Sequence, residues 1–349
     1  MTEQKRTRKI RTPEEPIVSG CFEASLALTA VQDSHGLHLC LLALLKEIPG
    51  FLSAEIYEMR RPDEGALAGE MGGPLFLDNA VEENEPPLDA TLDPMVLESL
   101  KTHLPVIQLC TQNRCQRYVF PVPGEVGPLR LVVLRAEPLS AEMRKMIGNA
   151  LAIYRNQIRL LDKKERDPLT GLLNRLSFDD ELVRHLERVV NHAEAHGRGA
   201  GRPWLAFLDI DHFKRINDRF GHLYGDEILI LFARLLQRHF RHTDLPFRYG
   251  GEEFVVLLSA VSEMEVHAAL ERFRSAVESY PFPTIGQVTV SIGFAAFTGL
   301  ELPSTLIDHA DQALYHAKNH GRNQVVFYGD LQEAGEEEPE PDEGGVELF

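Results

Sequence analysis

Phe247-Arg248-Tyr249-Gly250-Gly251-Glu252-Glu253-Phe254-Val255-Val256-Leu257-Leu258 sets two glycines between apolar runs. That pattern predicts a β-hairpin whose turn uses positive φ. Two adjacent carboxylates follow where the chain re-enters a strand that reads as buried. Neighbouring strand residues point to opposite faces, so two acids kept together beside a turn argue for a ligand. A divalent cation with an anionic substrate is the simplest such ligand. On its own, however, the stretch favours the plainer reading, a solvated turn.

The residues around it change that balance. Trp204-Leu205-Ala206-Phe207-Leu208-Asp209-Ile210-Asp211 is a buried strand that runs straight into carboxylates. A strand ending in Asp beside a carboxylate-bearing hairpin suits a hard cation, whose oxygen shell is completed by substrate phosphates. His212-Phe213-Lys214-Arg215-Ile216-Asn217-Asp218 predicts a short helix, closed by Gly221 before a helix starting near Asp226 and running to about Phe240. Asn217 and Asp226 suit the donor and acceptor edges of guanine; as simple residues they would equally be helix caps. Further on come a helix over 263–279, a buried strand over 288–295, a helix over 306–318 and a last strand over 324–328. Lys318 and Arg322 flank the C-terminus of that last helix, where cations complement the dipole and also suit a triphosphate. Upstream, Asp167-Pro168-Leu169-Thr170-Gly171-Leu172-Leu173-Asn174-Arg175 breaks one helix and begins another, which reaches to about His192.

The first half carries helical spacing over 21–45 and candidate strands at 54–59, 105–109, 117–122 and 129–134. Between the first two strands, 61–65 and 82–87 have loop chemistry. Ser140 is the N-cap of a long helix whose apolar positions, Ile147, Leu151, Tyr154, Ile158 and Leu161, alternate steps of four and three. This heptad seam predicts a parallel dimer helix in preference to an amphipathic helix lying on its own domain.

At 349 residues, 44% hydrophobic and 26% charged, the chain has the profile of a soluble protein of two domains. No apolar run approaches the roughly 20 residues that span a bilayer. Residues 1–11 are basic with no apolar core after them, so no secretory signal is expected and a cytoplasmic location is. Cys21, Cys40, Cys110 and Cys115 fit a reducing compartment, and their spacing gives ordinary thiols in place of a zinc or redox site. The formal charge of −17 is concentrated beyond Asp330, around Glu336-Glu337-Glu338-Pro339-Glu340-Pro341-Asp342-Glu343, the composition of a disordered tail. The remainder is mildly acidic, which argues against a DNA partner.

Residues 167–328 resemble the GGDEF family of diguanylate cyclases in its GGEEF spelling. The resemblance rests on the phrases quoted above, together with Phe220-Gly221-His222, Gly225-Asp226, Ser291-Ile292-Gly293, Ala310-Asp311-Gln312-Ala313-Leu314-Tyr315-His316-Ala317-Lys318 and Gly321-Arg322-Asn323. The phrase Pro49-Gly50-Phe51-Leu52-Ser53-Ala54 and the exit helix make the first half similar to a GAF sensor domain, with a PAS-like or dimerisation domain as the alternative. The implied architecture is α+β. It comprises a polar leader (1–19), a GAF-like domain (20–139), a helical linker (140–166), a GGDEF domain with a five-stranded palm-type sheet (167–330) and an acidic tail (331–349).

The resemblance implies condensation of two GTP into cyclic di-GMP with release of two pyrophosphates, at the interface of a homodimer. It assigns Asp209, Glu253 and the Ile210 carbonyl to Mg²⁺ or Mn²⁺, and Glu252 to a general base or second metal ligand. Asn217 and Asp226 read guanine, while His212, Phe213, Lys214, Lys318 and Arg322 hold phosphate. Arg241 and Asp244 match the family's RxxD inhibitory product site, with Arg272 as a second contact. The ligand of the N-terminal domain is unknown. The rival from another class is a catalytically silent cyclic di-GMP receptor.

Overall fold

The computed structural model describes residues 26–59, 76–81, 88–89, 93–109, 115–196, 202–241, 243–299 and 302–335. It divides into two compact units, 1–164 and 165–349. The expected leader, the loops at 61–65 and 82–87, Cys21 and Cys110 lie outside the described residues, as does most of the acidic tail.

In the first unit Asp33 accepts from the Gly36 amide at 2.8 Å and so starts helix α1 (Ser34–Lys46). Residues 26–30 are helical and end before it, so the helical spacing expected over 21–45 is interrupted. The strands are β1 (Phe51–Met59), β2 (Phe76–Asn79), β3 (Leu88–Asp89), β4 (Val106–Leu109), β5 (Gln116–Val122) and β6 (Leu129–Ala136). They form one antiparallel sheet in the order β3-β2-β1-β6-β5-β4. Helix α2 (Pro94–Thr102), capped by Asp93, contributes Met95, Val96 and Leu100 to a core with Val119, Leu131 and Val133. The sequence reading missed β2, β3 and α2, which are short and lack a clear period.

Helix α3 (Ala141–Glu165) starts as predicted, with the Met143 amide donating to the Ser140 hydroxyl at 3.1 Å. Its apolar stripe does not form an open seam. Ile147, Leu151, Tyr154, Ile158 and Leu161 are buried in the core of this unit with Leu37, Leu41, Tyr118 and Leu134. The dimer-seam expectation and the separate linker over 140–166 are therefore corrected: the helix is a wall of the first unit. An apolar stripe at steps of three and four serves one neighbouring sheet as well as it serves a second helix. The last turn is also tied down by charge. Buried Arg130 donates to both oxygens of buried Asp162, at 2.8 and 2.7 Å, and to Glu58 at 2.6 Å. Such a pair is costly to break one-sidedly, by about 3–5 kcal/mol.

The second unit contains β7 (Leu173–Asn174), α4 (Arg175–His196), β8 (Arg202–Ile210), α5 (Phe213–Phe220), α6 (His222–His239), β9 (Leu245–Arg248) and β10 (Glu253–Val261). It continues through α7 (Glu263–Ser279), β11 (Val290–Ala296), α8 (Pro303–Asn319), β12 (Val325–Phe327) and α9 (Tyr328–Ala334). The sheet order is β12-β11-β8-β10-β9-β7. It has six strands where five are expected, the smallest being the two-residue β7, which is too short to carry a pattern. Helix α9 likewise extends into the stretch assigned to the tail.

Alternation along β8 sorts its side chains onto two faces. Ala206, Leu208 and Ile210 join a core with Phe232, Phe254 and Phe273, which lie on α6, β10 and α7. Leu205 and Phe207 face Phe178 of α4 and Leu306, Ala310 and Leu314 of α8. Asp209 continues this second row at its open end. Gly293 brings α8 close enough to matter there: a Cβ at Gly293 would overlap the backbone of Ala310, Ala313 and Leu314.

Candidate active site

The carboxylates meet through strand register. Glu253, the first residue of β10, lies directly opposite Asp209 on β8, so both side chains share the face that carries α8. On the other side Asp209 is paired with Ser291 of β11. Lys318, in the last turn of α8, reaches down to Asp209 Oδ2 at 2.8 Å. The Ile210 amide donates to the Glu252 carbonyl at 3.3 Å, which fixes the hairpin end against β8.

The hairpin turn corrects one expectation. The Tyr249 and Gly250 amides both donate to the Glu253 carbonyl, at 2.9 and 3.1 Å. Neither Gly250 nor Gly251 has positive φ. Gly250 instead leaves room for the Glu253 carboxylate, which a Cβ there would force to shift. At Gly251 the space a side chain would take is empty.

Burial raises the carboxyl of Asp209 above its ordinary value, and the Lys318 ammonium only partly offsets this. Burial raises Glu252 as well, helped by the negative charges of Asp209 and Glu253 and opposed by Lys318. Glu253 is raised by burial, with Lys318 opposing and Asp209 and Asp311 adding to the rise. Three acids crowded in this way favour a cation.

Among the described residues no group of three or more His, Cys, Asp and Glu side chains is arranged to hold a metal ion by itself. Two carboxylates and a backbone carbonyl are nonetheless a fitting donor set for Mg²⁺, which keeps waters and takes substrate phosphate oxygens. The chemistry of Asp209, Glu253 and the Ile210 carbonyl thus fits such an ion.

Neither Asn217 nor Asp226 caps a helix. Asn217 is interior to α5, and α6 begins at His222, four residues before Asp226, not near it as expected. The Asn217 Oδ1 is buried with no hydrogen-bond partner. Gly225 permits this, because a Cβ there would overlap that oxygen. An orphaned acceptor next to exposed Asp226 is what a ligand with amide-like donors would complete. His212 adopts the left-handed conformation at φ 58° and opens α5, with buried Phe213 anchoring the turn and Lys214 exposed. Arg322 is exposed, sits just past α8, and has φ 59°.

Arg241 and Asp244 are brought together by their own loop. The Arg241 amide donates to Asp244 Oδ2 at 2.8 Å, and the Asp244 amide donates to the Arg241 carbonyl at 3.0 Å. Asp244 is buried while the Arg241 side chain is exposed. Arg272 is exposed on α7.

The sequence reading missed Asp211. Its buried carboxylate accepts from Ser291 and Thr289 hydroxyls, each at 2.7 Å, and from the Asn323 amide at 3.1 Å. It lies two residues beyond Asp209 on the same face, and it stitches β8, β11 and the loop after α8 together. Only the Asp-x-Asp spacing signals it, and that signal does not separate a ligand from a brace.

Residues 164–324 match the family described as diguanylate cyclase, GGDEF domain. This stretch is a GGDEF domain. Diguanylate cyclase DgcP of Pseudomonas aeruginosa is 41% identical over 194 residues, 55% of this chain and 28% of that protein. Response regulator PleD of Caulobacter vibrioides is 35% identical over 267 residues, 73% of this chain and 57% of that protein. This chain thus spans between about a quarter and somewhat over half the length of those two relatives. A solved GGDEF domain of DgcB from Caulobacter crescentus, in complex with c-di-GMP, is 37% identical. It covers 47% of this chain and 96% of its own, with a TM-score of 0.43. Among the described residues no helix is long and apolar enough to cross a membrane.

Proposed function

We propose that the protein is a diguanylate cyclase that condenses two GTP into cyclic di-GMP and releases two pyrophosphates. The observation that carries this reading is the Asp209–Glu253 pair, opposed in register on adjacent strands with Lys318 on the Asp209 carboxylate. Each GGDEF domain holds one GTP, and two copies face each other so that each 3′-hydroxyl attacks the α-phosphate held by the partner. In-line transfer at phosphorus depends on positioning and on neutralising charge.

Asp209, Glu253 and the Ile210 carbonyl would hold Mg²⁺ or Mn²⁺; when bound, the ion supplies positive charge to the phosphate oxygens. Glu252, whose carboxyl burial holds above its ordinary value, takes the 3′-hydroxyl proton. Asn217 and Asp226 select guanine, with the orphaned Asn217 Oδ1 accepting from the base. The amides at His212 and Phe213, with Lys214, Lys318 and Arg322, hold the phosphates. Arg241, Asp244 and Arg272 form the inhibitory product site. The first unit, an antiparallel sheet with α1 and α3 on one face and α2 on the other, serves as a GAF-like regulatory domain.

Incubation of purified full-length protein with GTP and Mg²⁺, followed by chromatography, tests the reading. Cyclic di-GMP and pyrophosphate are the expected products. Absence of any cyclic dinucleotide at every protein concentration, with c-di-GMP still bound, would leave the silent receptor instead.

A further inference from the structure

Three consecutive residues after α8 occupy the left-handed region: Gly321 at φ 111°, Arg322 at φ 59° and Asn323 at φ 46°. Glycine does so freely, but for Arg and Asn the conformation costs about 1 kcal/mol or more each. A conformation of this kind persists only where its surroundings impose it.

The bonds that impose it converge on Asn323. Its amide donates to Asp211 Oδ2 at 3.1 Å. Its side-chain oxygen accepts from Arg274 of α7 at 2.7 Å, and its side-chain nitrogen donates to Glu278 at 2.9 Å. Arg274 is oriented in turn by Glu271, which accepts at 2.8 and 2.6 Å, and by Glu278, which accepts at 2.8 Å. On the other side of Arg322, its own amide donates to the Ala317 carbonyl at 3.0 Å. The side chain of Arg322 is thus exposed on a loop whose backbone is fixed before and after it, close enough to Asp209 for its charge to act on that carboxylate.

We infer that Arg274 and Asn323 are positioning residues for phosphate binding: through the clamp on Asp211 they hold Arg322 at the carboxylate end of β8. This rests on the proposed cyclase reading, in which Arg322 holds GTP phosphate. Neither residue touches substrate. Arg274 acts from α7, and its fork spans Asn323 and two glutamates in a way a lysine cannot reproduce.

The test is a double-mutant cycle on the full chain, reading KM and kcat for GTP. It also reads equilibrium affinity for a GTP analogue whose α,β-bridging oxygen is a methylene, so that pyrophosphate cannot leave. Arg322→Ala, Asn323→Ala and Arg274→Met are each expected to raise KM and weaken analogue binding about tenfold, the worth of one charge-assisted contact, with kcat changed far less. The Arg322→Ala/Arg274→Met double variant is expected to stay near tenfold, because the clamp has nothing left to position. Arg274→Lys keeps the charge beside Glu271 and Glu278 and serves if Arg274→Met does not fold; it is expected to show the same rise. Additive, roughly hundredfold losses in the double variant would overturn the inference, as would unchanged KM and analogue affinity in Asn323→Ala. A wild type that binds the analogue but forms no cyclic dinucleotide would overturn the cyclase reading alone, and the binding cycle would still decide the clamp.

Discussion

Arg248 holds Asp167 to the Gly250-Gly251 hairpin. One guanidinium nitrogen donates to both Asp167 carboxylate oxygens, at 3.0 and 3.1 Å, and the other donates to the Gly251 carbonyl at 2.9 Å. Asp167 also accepts from the Thr170 amide at 2.8 Å and hydroxyl at 2.6 Å. Burial works against its ionisation, but the Thr170 and Arg248 donors win, and its carboxyl lies below the ordinary value. The first residues of the GGDEF domain and the turn that bears Glu252 are therefore one hydrogen-bonded unit.

Arg248→Lys is expected to lose most cyclase activity while destabilising the domain by only about 1–3 kcal/mol, since a single ammonium cannot span Asp167 and the Gly251 carbonyl. Parallel measurement of kcat and thermal midpoint decides it. Full activity in Arg248→Lys would show that the turn does not depend on this link.

Crowded acids should make the site a source of instability when no cation is present. The folded-state carboxyls of Asp209, Glu252 and Glu253 are all raised, so between the unfolded and folded values the native protein holds more protons than the unfolded chain. Stability contributed by these groups falls as pH rises from the ordinary carboxylate range through that window, and the penalty persists at neutral pH. Glu253→Gln is accordingly expected to raise the thermal midpoint at pH 7 without Mg²⁺, by a modest amount because solvent screens this half-buried carboxylate. The same variant should lose turnover. In wild type, added Mg²⁺ should recover much of the midpoint difference. A lower midpoint for Glu253→Gln, measured by calorimetry in chelator, would contradict the electrostatic account.

How much of this was legible in sequence follows from the range of the interactions involved. The hairpin, the Asp-terminated strand and the Lys–Arg pair flanking the end of α8 are local phrases, and the structure gathers Asp209, Glu253 and Lys318 at one end of one sheet face. The fate of α3 was not legible, because Ile147 through Leu161 would read the same against a partner helix. Nor was the role of Gly250, whose neighbour is a side chain three residues on, or that of Asn323, whose partners Arg274 and Asp211 are 49 and 112 residues away. Contacts of that separation leave no periodicity to read.

The burial of α3 gives a separate test. Ile158 is fully buried within the first unit, whereas Leu160 is 64% exposed. Ile158→Ala is expected to destabilise that unit by about 2–5 kcal/mol through lost burial and the cavity left behind. Leu160→Ser should stay within about 0.5 kcal/mol. Denaturant midpoints measured over a hundredfold range of protein concentration should show the Ile158 effect unchanged. A loss that disappears at high concentration would restore the dimer seam.

In the loop from Arg241 to Asp244, folding and the proposed product inhibition can be tested apart at two positions three residues from each other. Asp244 caps its own loop through the Arg241 amide and is buried, while the Arg241 side chain projects outward. Asp244→Ala should therefore cost about 1 kcal/mol of stability as a lost cap, whatever it does to product binding. Arg241→Ala removes no such bond, and its expected effect is on inhibition alone: added cyclic di-GMP should no longer slow the reaction, because the guanidinium that would meet guanine N7 and O6 is gone. Progress curves with and without added product measure this. An Arg241→Ala variant that plateaus as wild type does would place inhibition elsewhere in the molecule.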